Sequence, residues 1–160
     1  NQFISHHSVI FQPEKRLMWV STSPWQCGKY VAYDLNKIFN DTINLQHEIY
    51  SSDLTIPEDK FIDTPEFQHL LTYKKLTPLL LKKIRKKEQI EESVLKTYQA
   101  SNPSLYYVYE VIGDYYEAMQ QSKQAIAYWQ QALKKSIPKL QEKERIQQKI
   151  QKQSKDGKES

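Results

Sequence analysis

The sequence predicts an α+β protein that is mostly helical, with an N-terminal β-hairpin followed by an antiparallel helical array. Three observations carry this. The first 23 residues are rich in strand formers broken by one Pro-led turn. Pro65, Pro78 and Pro103 each follow a Thr or Asn, the pairing that opens a helix, because Pro at the first turn lacks an N–H that would have no helical partner anyway. Gly occurs only three times in 160 residues, too few for a loop-rich all-β chain.

In chain order, Phe3–Phe11 and Leu17–Thr22 read as two strands joined by Pro13-Glu14-Lys15-Arg16, since Pro cannot donate to a ladder. Apolar side chains fall on both parities of each strand, which predicts a sheet covered on both faces. A lone hairpin is marginally stable in water, so either the downstream helices cover these strands or they join a larger sheet whose other strands lie upstream of Asn1; the second is the expectation, because a helical array can cover only one face. Ser23-Pro24 and Gly28 mark the exit, Tyr30–Phe39 has the spacing of a short amphipathic helix, and Asp53–Asp63 reads as an acidic loop. Residues 63–153 are expected to be helical, with new helices at Thr64-Pro65, Thr77-Pro78 and Asn102-Pro103 and a solvated capping helix over 139–153. The expected organisation is 1–62, 63–153 and a disordered polar tail at 154–160.

Composition bounds the function. Hydrophobic residues make up 39% and aromatic residues 12%, with eleven Tyr and three Trp. No run of eighteen apolar residues suggests a membrane span. The net charge of +4 is too mild for a strongly basic nucleic-acid domain and argues against a nucleic-acid partner. The chain opens at Asn1 without an initiator Met, which reads either as a processed product or as a piece cut from something longer; any targeting information would lie upstream, and the compartment stays open.

The candidate chemistry is sparse. His6 and His7 are neighbours on a strand and point to opposite faces, so they cannot share a metal; His47 and His69 stand at no ligand spacing. Cys27 is the sole cysteine, in Trp25-Gln26-Cys27-Gly28, with no base motif around it and only Lys29 to lower its pKa. Lys82-Lys83-Ile84-Arg85-Lys86-Lys87 is basic at five of six positions. On a helix these charges would wrap around Ile84, and Glu88, Glu91 and Glu92 follow at spacings that allow pairing, so a solvated face is the expectation. A weak anionic-surface contact with steep salt dependence is the other reading. No phosphate loop, paired-carboxylate site or nucleophile–base motif is present, so no catalytic, cofactor-binding or metal-ligating residue is assigned and no cofactor is expected.

The array carries one specific pattern. Tyr109, Ile112, Gly113 and Tyr116 are followed by Ala125, Trp129 and Ala132, then Pro138. Gly113 and Ala125 are small where two antiparallel helices would cross closely, and Tyr116 and Trp129 are large beside them. This resembles the tetratricopeptide repeat, with Tyr109 in place of the commoner Trp and Pro138 one residue late. Residues 65–99 read as a degenerate earlier pair. One full repeat is too short to stand alone. Tyr106, Tyr107 and Tyr115 are expected on its surface, as a site for a protein partner.

The N-terminal string, Asn1-Gln2-Phe3-Ile4-Ser5-His6-His7-Ser8-Val9-Ile10-Phe11-Gln12-Pro13 and then Leu17-Met18-Trp19-Val20-Ser21-Thr22-Ser23-Pro24-Trp25-Gln26 with Gly28 and Tyr30–Leu35, resembles the C-terminal end of bacterial acyltransferases and amidohydrolases similar to isopenicillin N acyltransferase (acyl-CoA:6-aminopenicillanic acid acyltransferase), within the N-terminal-nucleophile hydrolases. The resemblance covers residues 1–39. It implies that the hairpin supplies the last strands of an αββα sandwich and that the parent protein cleaves or transfers an amide-linked acyl group. Such enzymes use an N-terminal Cys; with Asn1 first and Cys27 internal, the resemblance implies an inactive fragment whose partner is the upstream part of the same protein. The alternative is a stand-alone tetratricopeptide-type interaction module.

Overall fold

The computed structural model describes residues 8–22, 26–39 and 49–156. It is α+β, and its contacts divide it into two units, Asn1–Phe67 and Gln68–Ser160.

The first unit holds a four-stranded antiparallel sheet in the order β1-β2-β3-β4. β1 (Val9–Gln12) and β2 (Leu17–Ser21) form the expected hairpin, closed by a 3-10 turn at Pro13–Lys15 and by Arg16 in the left-handed region at φ 53°. The remaining two strands correct the sequence reading. Tyr30–Asp34 is β3, not part of a helix, and pairs along its whole length with β2 (Leu17 with Asp34, Ser21 with Tyr30). Only Leu35–Ile38 forms a helix, α1, started by the Asp34 carboxylate accepting from the Asn36 N–H at 2.9 Å. Tyr30, Val31 and Tyr33 are strand formers, and a ready partner in β2 outweighs the 3.6-residue spacing. The acidic stretch expected as a loop contains β4 (Ser51–Ile56). Its pairing with β3 shifts register between Tyr30 and Ala32, and the Thr55 hydroxyl, bonded to the Ser51 carbonyl at 3.0 Å and accepting from the Ala32 N–H at 3.4 Å, serves that irregular segment.

Cross-strand partners share a face. Ile10, Trp19 and Ala32 lie on one side; Val9, Phe11, Met18, Val20, Val31 and Tyr33 lie on the other. The Trp19 indole spans the fully buried Ala32 to donate to the Leu54 carbonyl at 2.9 Å. His6, His7, His47 and Pro24 lie outside the described residues.

The second unit is helical. α2 (Pro65–Arg85) begins in the first unit, where Thr64 Oγ1 accepts from the Phe67 N–H at 3.3 Å. It runs through Pro78, so Thr77-Pro78 is no helix start. Proline there forfeits one helical hydrogen bond, but Thr77 anchors the turn: its hydroxyl lies 2.7 Å from the Tyr73 carbonyl and 3.1 Å from the Tyr98 phenol. α3 is Glu92–Ser101, α4 Tyr106–Ala118, α5 Ser122–Leu133 and α6 Leu140–Asp156. α4 thus starts after the Pro103-Ser104 turn and not at it. α6 runs into the stretch expected to be a disordered tail, and residues 157–160 lie outside the described part. The α2 and α4 ends close without glycine: Lys87 (φ 54°) and Gln120 (φ 60°) take the left-handed position, and Glu88 and Gln121 N–H groups reach back to the carbonyls of Lys83 and Tyr116 at 3.0 and 2.8 Å.

Contacts define the directions of the last three helices. Tyr109 meets Lys135, Gly113 meets Trp129 and Tyr116 meets Tyr128, so α5 runs antiparallel to α4. Tyr106 meets Glu142, Glu110 meets Arg145 and Glu117 meets Gln153, so α6 runs parallel to α4. The core centres on Leu80, Leu95, Tyr98, Val108, Ile112, Trp129 and Ile146.

Candidate interaction surfaces

The seven positions of the repeat pattern come together between α4 and α5. Tyr109, Ile112, Gly113, Ala125, Trp129 and Ala132 are buried and Tyr116 is half-buried. The closest approach is at Gly113, where a Cβ would lie 2.5 Å from Trp129 Nε1, inside the indole's van der Waals envelope. The same Nε1 donates to Asp114 Oδ1 at 2.9 Å.

The expected surface of Tyr106, Tyr107 and Tyr115 does not exist as such. Tyr106 and Tyr115 are buried, each 8% exposed, and only Tyr107 is partly exposed. Tyr115 turns inward because its hydroxyl lies 3.3 Å from both the N–H and the carbonyl of Ile90, the segment leading into α3. Tyr106 turns toward α6 and hydrogen-bonds Glu142. The aromatic surface is instead made by Tyr107 and by Tyr116 stacked on Tyr128, with ring centroids 5.3 Å apart.

The most polar part of the helical unit is one the sequence reading missed. Glu110 is buried, yet receives Arg145 through two hydrogen bonds of 2.9 and 3.1 Å and Lys149 at 2.9 Å. Lys149 also contacts both Asp114 oxygens at 2.7 and 2.9 Å and lies over the Trp129 ring. A Ser122–Gln153–Glu117 chain continues the row. Glu110 and Asp114 stand one turn apart on α4, Arg145 and Lys149 one turn apart on α6, so parallel helices bring them into register. The signal in the sequence was a lone Glu within the otherwise apolar Tyr106–Ile112 run. Burial works against the Lys149 ammonium, but Asp114 and Glu110 outweigh it and raise its pKa. Burial likewise lifts the Asp114 carboxyl above its usual range, against the pull of Lys149 and Trp129.

Burial also raises the phenol pKa of Tyr73, Tyr98, Tyr106, Tyr107 and Tyr116 above 10.0. A raised folded-state value means stability that is complete below about pH 10, the unfolded value, and lost as pH climbs through the folded one. The helical unit is therefore expected to unfold cooperatively in alkali, with tyrosinate absorbance rising together with the loss of helical circular dichroism. Phenols that all ionised near pH 10 while the helix signal stayed intact would contradict this.

In the sheet unit, β1 lies at one end of the strand order and exposes Val9, Ile10 and Phe11, the last at 63%. Lys29, Val31, Tyr33, Tyr50, Ser52, Thr55 and Pro57 line an open cleft of about 600 Å³. Cys27 is half-buried, and its carbonyl accepts from the Asp59 N–H at 2.9 Å. His69 is exposed on α2. Among the described residues, no three His, Cys, Asp or Glu side chains are grouped to hold a metal ion, and no helix is long and apolar enough to cross a membrane. Of the acids after the basic run, only Glu88 pairs with it, to Lys86 at 3.6 Å; Glu92 pairs with Lys96 instead.

No protein-family model, curated protein or solved structure matches the chain.

Proposed function

We propose that the chain acts as the C-terminal portion of an amidohydrolase or acyltransferase of the N-terminal-nucleophile type. In this reading the sheet unit completes a larger sheet of the catalytic body, and the helical unit is a tetratricopeptide-type addition. The observation that carries it is β1. A terminal strand with exposed Val9 and Phe11 on one face and exposed Ile10 on the other is a poor edge to leave in water, and native edges are usually charged, short or covered. The string over residues 1–39 that resembles this enzyme class coincides with that strand and its hairpin partner. The chain itself contributes no nucleophile in this proposal.

The test compares the longer reading frame with this chain in an assay for acyl release from amide substrates. The longer protein is expected to be active and this chain inert. Ile10→Lys with Phe11→Lys is expected to abolish activity of the longer protein while the helical circular dichroism of this chain stays unchanged. Amide cleavage by the chain alone, or full activity of the doubly substituted longer protein, would overturn the proposal.

A second reading, an interaction module, draws on the partly exposed Tyr107, Tyr116 and Tyr128. A pull-down in which alanine at these three positions released no partner would count against it.

A further inference from the structure

We infer that the outward face of α2 is a docking surface for an anionic lipid bilayer. The basic run does not wrap evenly around its helix. At ~100° per residue, Lys75, Lys82 and Lys83 fall within roughly a third of the circumference with Leu79 in their midst, and Lys86, in the turn just past the helix with its N–H still 3.3 Å from the Lys82 carbonyl, continues the same face. Leu80 and Ile84 point the other way, into or toward the core. Arg85 leaves the stripe, its Nε turned to the Leu81 carbonyl at 3.4 Å, and Lys87 lies in the left-handed turn that ends the helix. What remains is a patch of four lysines spread along about 16 Å of the helix axis and about 100° of its circumference.

This patch is uncompensated. Lys75, Lys82 and Lys83 form no ion pair with a described residue, and Lys86 has only the exposed Glu88 at 3.6 Å. All four lysines are exposed. The unit's strong ion pairs are spent elsewhere, between α4 and α6. Charge complementarity thus calls for an anionic partner, and two features favour a lipid headgroup layer. Lysines are compact point charges suited to a fluid field of phosphates, whereas base or carboxylate readout in a fixed geometry favours Arg. Leu79 is 50% exposed in the midst of the patch, an apolar side chain placed to enter between headgroups while its neighbours hold the phosphates. No aromatic side chain stands in the stripe to stack a nucleic-acid base.

The test is co-sedimentation of the intact chain with phosphatidylcholine vesicles, with and without phosphatidylserine. At low salt, four lysines near an anionic surface are expected to raise partitioning by roughly 10³-fold over neutral vesicles, and added salt should remove most of that gain. Lys75→Glu, Lys82→Glu, Lys83→Glu and Lys86→Glu together should abolish binding with helical circular dichroism unchanged; the corresponding Gln variant serves if the acidic one fails to fold. Leu79→Ser should weaken binding several-fold at equal charge. Equal partitioning to both vesicles, undiminished binding by the folded charge variants, or tighter binding to an RNA oligonucleotide than to the anionic vesicles would overturn the inference. A Leu79→Ser protein that binds like the parent would overturn the insertion of that side chain.

Discussion

Gly113→Ala is expected to destabilise the helical unit by about 2 kcal/mol, although alanine is ordinarily the better helix residue by about 1 kcal/mol. The added methyl would lie 2.5 Å from Trp129 Nε1, and Trp129 is fully buried. An indole packed on all sides cannot withdraw without moving α5, and overpacking of this kind costs roughly 1–3 kcal/mol or more. Displacement also strains the Nε1 hydrogen bond to Asp114, which adds to the cost and carries the sum past the propensity gain. A two-state melt should fall by about 10 °C for a unit of this size. The decisive control is Trp129→Leu. Leucine leaves room over Gly113, so in that background the clash disappears and only propensity remains. Gly113→Ala should then stabilise by a few tenths to about 1 kcal/mol, and the double-mutant cycle should show coupling well above the additive limit. If the alanine costs the same in both backgrounds, the Gly113–Trp129 contact is not what excludes a side chain.

This contact was legible in the sequence because it is a local rule. A small residue on one helix and a large one at matched distance on the next announce where two helices touch, and Gly113 and Trp129 do so without help from the rest of the chain. Thr64-Pro65 is another local signal, and it opens α2 as read. What the sequence concealed depended on partners far along the chain. Tyr30–Phe39 has helical spacing but begins with strand formers, and only the neighbouring β2 decides for β3 over Tyr30–Asp34. Ser51–Ile56 has the polarity of a loop because it is an irregular terminal strand with little to bury. Pro78 misleads in the other direction, since the Thr77 hydroxyl and the stacked Tyr73–Tyr98 pair hold α2 together across a residue that usually ends helices. Among Tyr106, Tyr107 and Tyr115, which phenols point inward is set by Glu142 and Ile90, far away in sequence. The ionic row was hidden for the same reason: its acids are on α4 and its bases on α6, more than thirty residues apart.

Removing the centre of that row should loosen one helix and spare the rest. Glu110→Ala is expected to cost about 2 kcal/mol, below the 3–5 kcal/mol typical of breaking a fully buried pair. The discount follows from where the orphaned cations can go. The Arg145 side chain is 49% exposed and can turn to water, and Lys149 keeps Asp114. Apolar anchorage of α6 is thin, with Ile146 buried and Ile150 only half so; its hold on α4 is mostly polar. The loss should therefore appear first in α6, as faster amide exchange over residues 140–156 and earlier tryptic cleavage after Arg145 and Lys149. α4 and α5 should remain protected by Ile112, Ala125 and Trp129. Glu110→Gln separates charge from hydrogen bonding: it keeps an acceptor for Arg145 but leaves Lys149 with a single carboxylate, so it should fall between the parent and Glu110→Ala. Leucine at position 110 together with Met at 145 should recover much of the loss, because a buried ion pair is often replaceable by apolar groups of similar volume. If Glu110→Ala instead raises exchange equally in all of α4, α5 and α6, the row is part of a single cooperative core and α6 is not separately held.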